Sequence, residues 1–142
     1  MGSLPHKRDI IETLLGLGTD INGQDNYQRS PLFTACRAGH SDIILLIANS
    51  AGVNFKDGVG QTPLFEVVAM GKLEAIWRLL GAHIIDVNSQ DNDKKRAVQL
   101  AAGRRNYEVV KLLVSRGGIF DRPTQEFIDQ EERIRPSKED LD

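Results

Sequence analysis

Apolar residues recur at positions i, i+3 and i+4 in three separate windows: Ile43, Leu46 and Ile47; Ile76, Leu79 and Leu80; Val109, Leu112 and Leu113. That spacing lays each trio along one face of a helix. The opposite faces are more polar, as expected of a back turned to solvent. Ahead of each trio stands a slimmer window around a pair of modest residues: Ala35-Cys36, Val67-Val68 and Ala101-Ala102. The pattern predicts an all-α fold of short helices taken in pairs. A further apolar stretch, Ile10, Ile11, Leu14 and Leu15, has no such window before it. The longest apolar run, Ile43 to Ala48, is six residues. It falls far short of the ~20 needed to cross a bilayer.

The paired windows are copies of one another. Asp-Ile-Asn ends at Asn22, Gly-Val-Asn at Asn54 and Asp-Val-Asn at Asn88. Ser30-Pro31-Leu32-Phe33 is echoed by Thr62-Pro63-Leu64-Phe65, and Arg96-Ala97-Val98-Gln99 stands at the same place in the third copy. Gly39-His40, Gly71-Lys72 and Arg105-Asn106 mark the turn between the two helices of each copy. Ser30 and Thr62 are helix-capping residue types. Pro31 and Pro63 fit the first helical position, where a missing N–H costs nothing. Gly52 and Gly117 follow helix ends, where a positive φ is often required.

A repeat of about this length with a Thr-Pro-Leu signature resembles the ankyrin repeat, a β-turn followed by two helices. The resemblance covers roughly residues 7–118. It implies an all-α ankyrin-repeat solenoid of stacked helix-turn-helix units with β-turn or hairpin connections. The expected units are 23–54, 55–88 and 89–118, the last atypical. A partial unit at 1–22, with a second helix only, precedes them, and an acidic capping helix and tail at 119–142 follows. Two readings of the start stand side by side: a natural cap, or a segment cut from a longer array with Met1-Gly2-Ser3 left by cloning.

The sequence departs from the family's pattern in several places. Phe33 and Phe65 stand where the family has His, so a hydrogen bond is exchanged for buried area. The third unit has Arg96-Ala97 instead of Thr-Pro. Losing a cap costs ~1 kcal/mol, so this unit is expected to be the weakest. The stretch from Gly71 to Asn88 is one residue longer than usual, with a bulge expected near Ala82-His83-Ile84-Ile85. Asp121 before Arg122-Pro123 is expected to start a helix that uses Phe127, Ile128 and Ile134 as apolar contacts and stops at Pro136.

Composition narrows the chemistry. The 142 residues carry a net charge of −2, and Cys36 is the single cysteine. An internal disulfide framework and a Cys-rich zinc site are excluded, and the charge disfavours a nucleic-acid binder. No secretory signal or glycosylation sequon is present, so an intracellular setting is expected, cytoplasm and nucleus not being distinguished. His6, His40 and His83 are scattered, and Cys36 sits in a packing pair. Gly58-Val59-Gly60-Gln61-Thr62 lacks the Gly-Lys-Ser/Thr ending of a phosphate loop. The chain is expected to be no enzyme and to hold no cofactor and no metal.

What is left is binding. Stacked repeats expose an extended concave face. The resemblance places that face on the loop tips and the exposed sides of the first helices. Residue by residue this gives Asn26, Tyr27, Arg29 and Arg37 in the first unit, Val59, Gln61 and Met70 in the second, and Lys95 and Arg104 in the third. Tyr and Arg are common interface anchors. Between Asn88 and Gly118 seven bases stand against three acids, whereas residues 119–142 hold eight acids and four bases. A protein partner is expected, an acidic one on the strength of the third unit, with no membrane contact. The runner-up reading is a structural or autoinhibitory segment of a larger multidomain protein. A homodimer through the apolar stripe of the N-terminal partial unit is a further expectation.

Overall fold

The computed structural model describes residues 22–48, 52–82 and 84–135, without the side chains of residues 43 and 45–47. The N-terminal partial unit, its proposed dimer stripe, His6, His83 and residues 136–142 lie outside the described residues. Seven helices follow in order: α1 Pro31–Ala38, α2 Ser41–Ala48, α3 Pro63–Met70, α4 Leu73–Leu80, α5 Ala97–Gly103, α6 Tyr107–Ser115 and α7 Arg122–Ile134. No strand is present among the described residues. The first helices α1, α3 and α5 stack in one layer. The second helices α2 and α4 run side by side behind them, α6 packs on α5, and α7 closes the end against α5 and α6.

Six of these helices have nine residues or fewer, too short to hold in water alone. They persist because each buries a stripe against its neighbours. Leu32, Cys36, Leu64, Val67, Ile76, Leu79, Ala97, Val98, Val109 and Leu113 are all essentially inaccessible to solvent. The small and medium pairs do what their spacing suggests. Ala35, Cys36, Val67, Val68 and Ala101 are buried where first helices meet.

Both prolines open their helices as expected, but the caps differ from the expectation. Ser30 and Thr62 occupy the N-cap positions, yet neither side chain bonds the first turn. Their hydroxyl oxygens are buried without a partner. The rings three residues on, Phe33 and Phe65, are buried and offer neither donor nor acceptor. This removes the reason for expecting the third unit to be the weakest. The side-chain caps it lacks are not made in the other two. Its own Gln99 Oε1 accepts the Arg96 N–H at 2.8 Å, and α7 covers its outer side.

The left-handed turn residues are Gly39 and Gly71, both at φ 69°, each ending a first helix. Gly117 is also left-handed, whereas Gly52 does not reach positive φ. The third copy places Arg105 at the Gly39/Gly71 position with φ 61°. A side chain there is strained, and the Arg105 guanidinium offsets some of that cost by stacking 4.9 Å over Phe127. At the end of the stack, Asp121 caps α7 by accepting the Thr124 N–H at 3.0 Å and its hydroxyl at 2.6 Å. Phe127 is buried and Ile128 half-buried, but Ile134 points to solvent. The helix stops at Ile134 because Arg135, ahead of Pro136, is extended.

The asparagines at the unit ends carry the stack. Asn22 Oδ1 accepts from Gly52 N–H at 2.7 Å. Asn54 accepts from Asp86 N–H at 2.7 Å and donates to Ile84 O at 2.6 Å. Asn88 accepts from Ile119 N–H at 2.7 Å and donates to Gly117 O at 3.0 Å. Each amide bridges its own unit to the main chain about thirty residues on. At Asn54 and Asn88 its two ends match one donor and one acceptor, which no carboxylate or aliphatic side chain does.

Among the described residues, the polar back is interrupted on α4. Leu73 and Trp77, one turn apart on α4, are exposed on the outer side, Trp77 by 54%. Arg116, after α6, lies 4.8 Å over the Trp77 ring. The stack spans the place where α4 and α6 approach less closely than α2 and α4 do.

Thr62→Val is expected to raise stability by about 1 kcal/mol, because it removes a buried unpartnered hydroxyl at nearly constant volume. Urea denaturation measures this, and a loss of similar size would reveal a partner for the hydroxyl. Asn54→Ala is expected to cost about 1–2 kcal/mol, since it breaks two bonds between units. A urea midpoint equal to that of the wild type would count against the bridge.

Candidate partner-binding surface

Each loop tip is built on one aspartate. Asp25 Oδ1 accepts the N–H groups of Tyr27 and Arg29, both at 2.9 Å. Asp57 Oδ1 does the same for Val59 and Gln61, at 3.0 and 2.9 Å. Asp91 Oδ1 takes Asp93 and Lys95, both at 2.9 Å. The residue three places after each aspartate is left-handed: Gln28 at φ 62°, Gly60 at 83° and Lys94 at 64°. The N–H groups of Arg29 and then Tyr27 hold the Asp25 carboxyl below its ordinary range. Sequence reasoning passed over these aspartates. Their spacing, 25, 57 and 91, follows the asparagine period and was the available signal.

The tips are also bonded to one another. Gly58 N–H donates to Tyr27 O and Asn92 N–H to Val59 O, each at 3.1 Å. Lys56 Nζ adds a bond to Gln90 O at 2.7 Å. The three tips therefore form one fixed edge. On it Tyr27 is 68% exposed and Val59 58%. Asn26 and Lys95 are exposed beside them, and Gln61 and Arg29 are half-buried. The Arg29 guanidinium sits 5.1 Å over the Tyr27 ring and limits its swing.

The remaining expected residues lie at the other end of the first helices, about 12 Å from the tips for an eight-residue helix. Arg37 near the end of α1, Met70 at the end of α3 and Arg104 after α5 are all exposed. Arg37 is not free: Glu66 of α3 lies 3.5 Å from its Nη2 and is mostly covered. Glu66 is a residue the sequence reading missed. It makes Arg37 a link between units as well as a surface group.

Two clefts adjoin this surface. One, of about 740 Å³, runs along α1 past Gln24, Arg29, Pro31, Thr34 and Ala38. There Pro31 is exposed, whereas the equivalent Pro63 and Ala97 are buried against the preceding first helix. The other, of about 420 Å³, lies between α5 and α7 and was not visible in the sequence. Gln99 Nε2 donates to Asp121 Oδ2 across it at 2.6 Å. The Thr124 hydroxyl and then this amide hold the Asp121 carboxyl below its ordinary range.

Groups of catalytic type do not converge here. Cys36 is fully buried, and burial pushes its thiol up to about 12, so it stays protonated. His40 is exposed. Among the described residues no cluster of His, Cys, Asp and Glu is placed to hold a metal ion. No described helix is long and apolar enough to cross a membrane.

A solenoid of paired helices, with bonded tips and asparagine bridges between units, is the architecture of a repeat protein. The chain belongs to the ankyrin repeat family. The profile for ankyrin repeats (3 copies) matches residues 3–91 and again 44–123. Alpha-latrocrustotoxin-Lt1a of Latrodectus tredecimguttatus is 31% identical over 115 residues, 80% of this chain and 8% of the toxin. Ankyrin repeat-containing protein P1E11.10 of Schizosaccharomyces pombe is 30% identical, covering 77% of this chain and 52% of its own. The putative ankyrin repeat protein YahD of Escherichia coli is also 30% identical, with coverages of 76% and 57%. The chain thus spans between a small fraction and about half of the relatives it matches. Ankyrin repeats are in general protein–protein interaction modules and not catalysts.

The raised pKa of Cys36 fixes a pH dependence. The folded state keeps this proton while the unfolded thiol loses it, so the stabilisation is complete below pH ~8.5 and falls as pH rises towards about 12. The urea midpoint of the wild type should fall faster than that of Cys36→Ala across this range. Parallel curves would contradict a buried neutral thiol.

Proposed function

We propose that the chain is a non-catalytic module that binds a partner protein along the concave face of its stacked repeats. The contact strip is formed by Asn26, Tyr27, Arg29, Arg37, Val59, Gln61, Met70, Lys95 and Arg104, contributed by units 23–54, 55–88 and 89–118. One observation carries this reading. Tyr27 and Val59 stand more than half exposed on an edge whose backbone is fixed by aspartates and tip-to-tip bonds. Large apolar side chains held rigidly in water lose little entropy on contact. Folded monomers seldom present them in a row without a use.

The chemistry suits a protein more than other ligands. Tyr27 with Arg29 offers an aromatic face and guanidinium donors together, a pairing enriched at interface hot spots. Arg37 and Glu66 supply a charged rim that sets register more than affinity.

A photo-reactive residue placed at Val59 is expected to cross-link the partner, and one placed at Trp77, on the outer side, is not. Tyr27→Ala should weaken the complex by about tenfold with the melting temperature unchanged. Cross-linking from Trp77 alone would move the contact to the outer side and overturn this reading.

A further inference from the structure

The cleft between α5 and α7 is where the surface changes character. Toward the first two units the exposed edge presents the apolar groups Tyr27 and Val59 among polar neighbours. Around α5 it is cationic. Lys94 and Lys95 precede the helix, Arg104 and Arg105 follow it, and all four are exposed. The ion pairs among the described residues engage Arg37, Arg78, Arg122 and Arg135, and none of these four. Lys95 and Arg105 line the same cleft, one toward each end of α5.

The acid in that lining, Asp121, forms no ion pair with them. Both oxygens of Asp121 are engaged, Oδ1 with Thr124 and Oδ2 with Gln99. Between the cations the lining offers Ala102, Gly103, Pro123 and Phe127 beside the polar Gln99 and Thr124. A Cβ built on Gly103 would meet nothing within 4 Å, so the cleft is open along the helix. The arrangement calls for a ligand that carries negative charge at two separated points and an aliphatic stretch between them.

We propose that this cleft seats an acidic segment of the partner polypeptide, with carboxylates facing Lys95 and Arg105 and aliphatic atoms over Ala102 and Gly103. The inference rests on the concave-face reading and gives the bound chain a direction: apolar residues over the first two tips, acidic residues over α5. Peptide carboxylates fit better than nucleic-acid phosphates. The whole protein carries −2, which disfavours a continuous phosphate chain.

A random peptide library displayed on phage and selected on the immobilised full chain tests this. The enriched peptides are expected to carry Asp or Glu clustered toward one end and apolar residues toward the other. Lys95→Glu should weaken them by about tenfold, and their affinity should fall as salt rises. Gly103→Leu should abolish binding by filling the cleft without lowering the melting temperature, since Leu is the better helix former. Enriched peptides without acids, or acidic ones indifferent to both variants, would overturn the cleft assignment and leave the concave face standing. Displacement of the peptides by a duplex oligonucleotide at moderate salt would replace it with phosphate binding. A library that yields no binder would overturn both readings together.

Discussion

The stack holds because one polar side chain per unit reaches across to the main chain of the next. Asn22, Asn54 and Asn88 each satisfy backbone groups about thirty residues away. Hydrophobic burial supplies most of the favourable energy, but it has no direction. The amides fix the register in which the short helices meet. With register fixed, the aspartate-clamped tips fall in line and bond to each other. The surface proposed for binding is therefore a consequence of the same period that builds the core.

Much of this was legible in the residues. The period of the apolar trios and the Asn spacing gave the units, and the prolines marked where first helices begin. The caps were misjudged because residue type was taken for geometry: Ser30 and Thr62 occupy cap positions, but their hydroxyls turn into the interior. The asparagines were read as markers of a unit's end, since a bridge to the next unit shows only once both main chains are placed. The link from Arg37 to Glu66 was hidden for the same reason, being set by how α1 lies on α3. The cleft beside α5 had no sequence signal at all. It depends on the angle at which α7 closes the stack, which no local pattern encodes.

The third unit shows how departures from a repeat are absorbed. It lacks the Thr-Pro entry and the left-handed glycine, yet each loss meets a local substitute. Gln99 holds the Arg96 N–H, and the strained Arg105 lies on Phe127 of the closing helix. Of the residues that replaced the consensus, Arg105 lines the cleft, whereas Ala97 is buried and Arg96 is half-buried outside its lining.

Trp77 is the single tryptophan of the chain, and it lies across the joint between the second and third units with Arg116 stacked on its ring. A cation at that distance and partial contact with water both act on indole emission. The protein thus carries its own optical gauge of that joint. Opening of the third unit lifts Arg116 from the ring and so changes the signal.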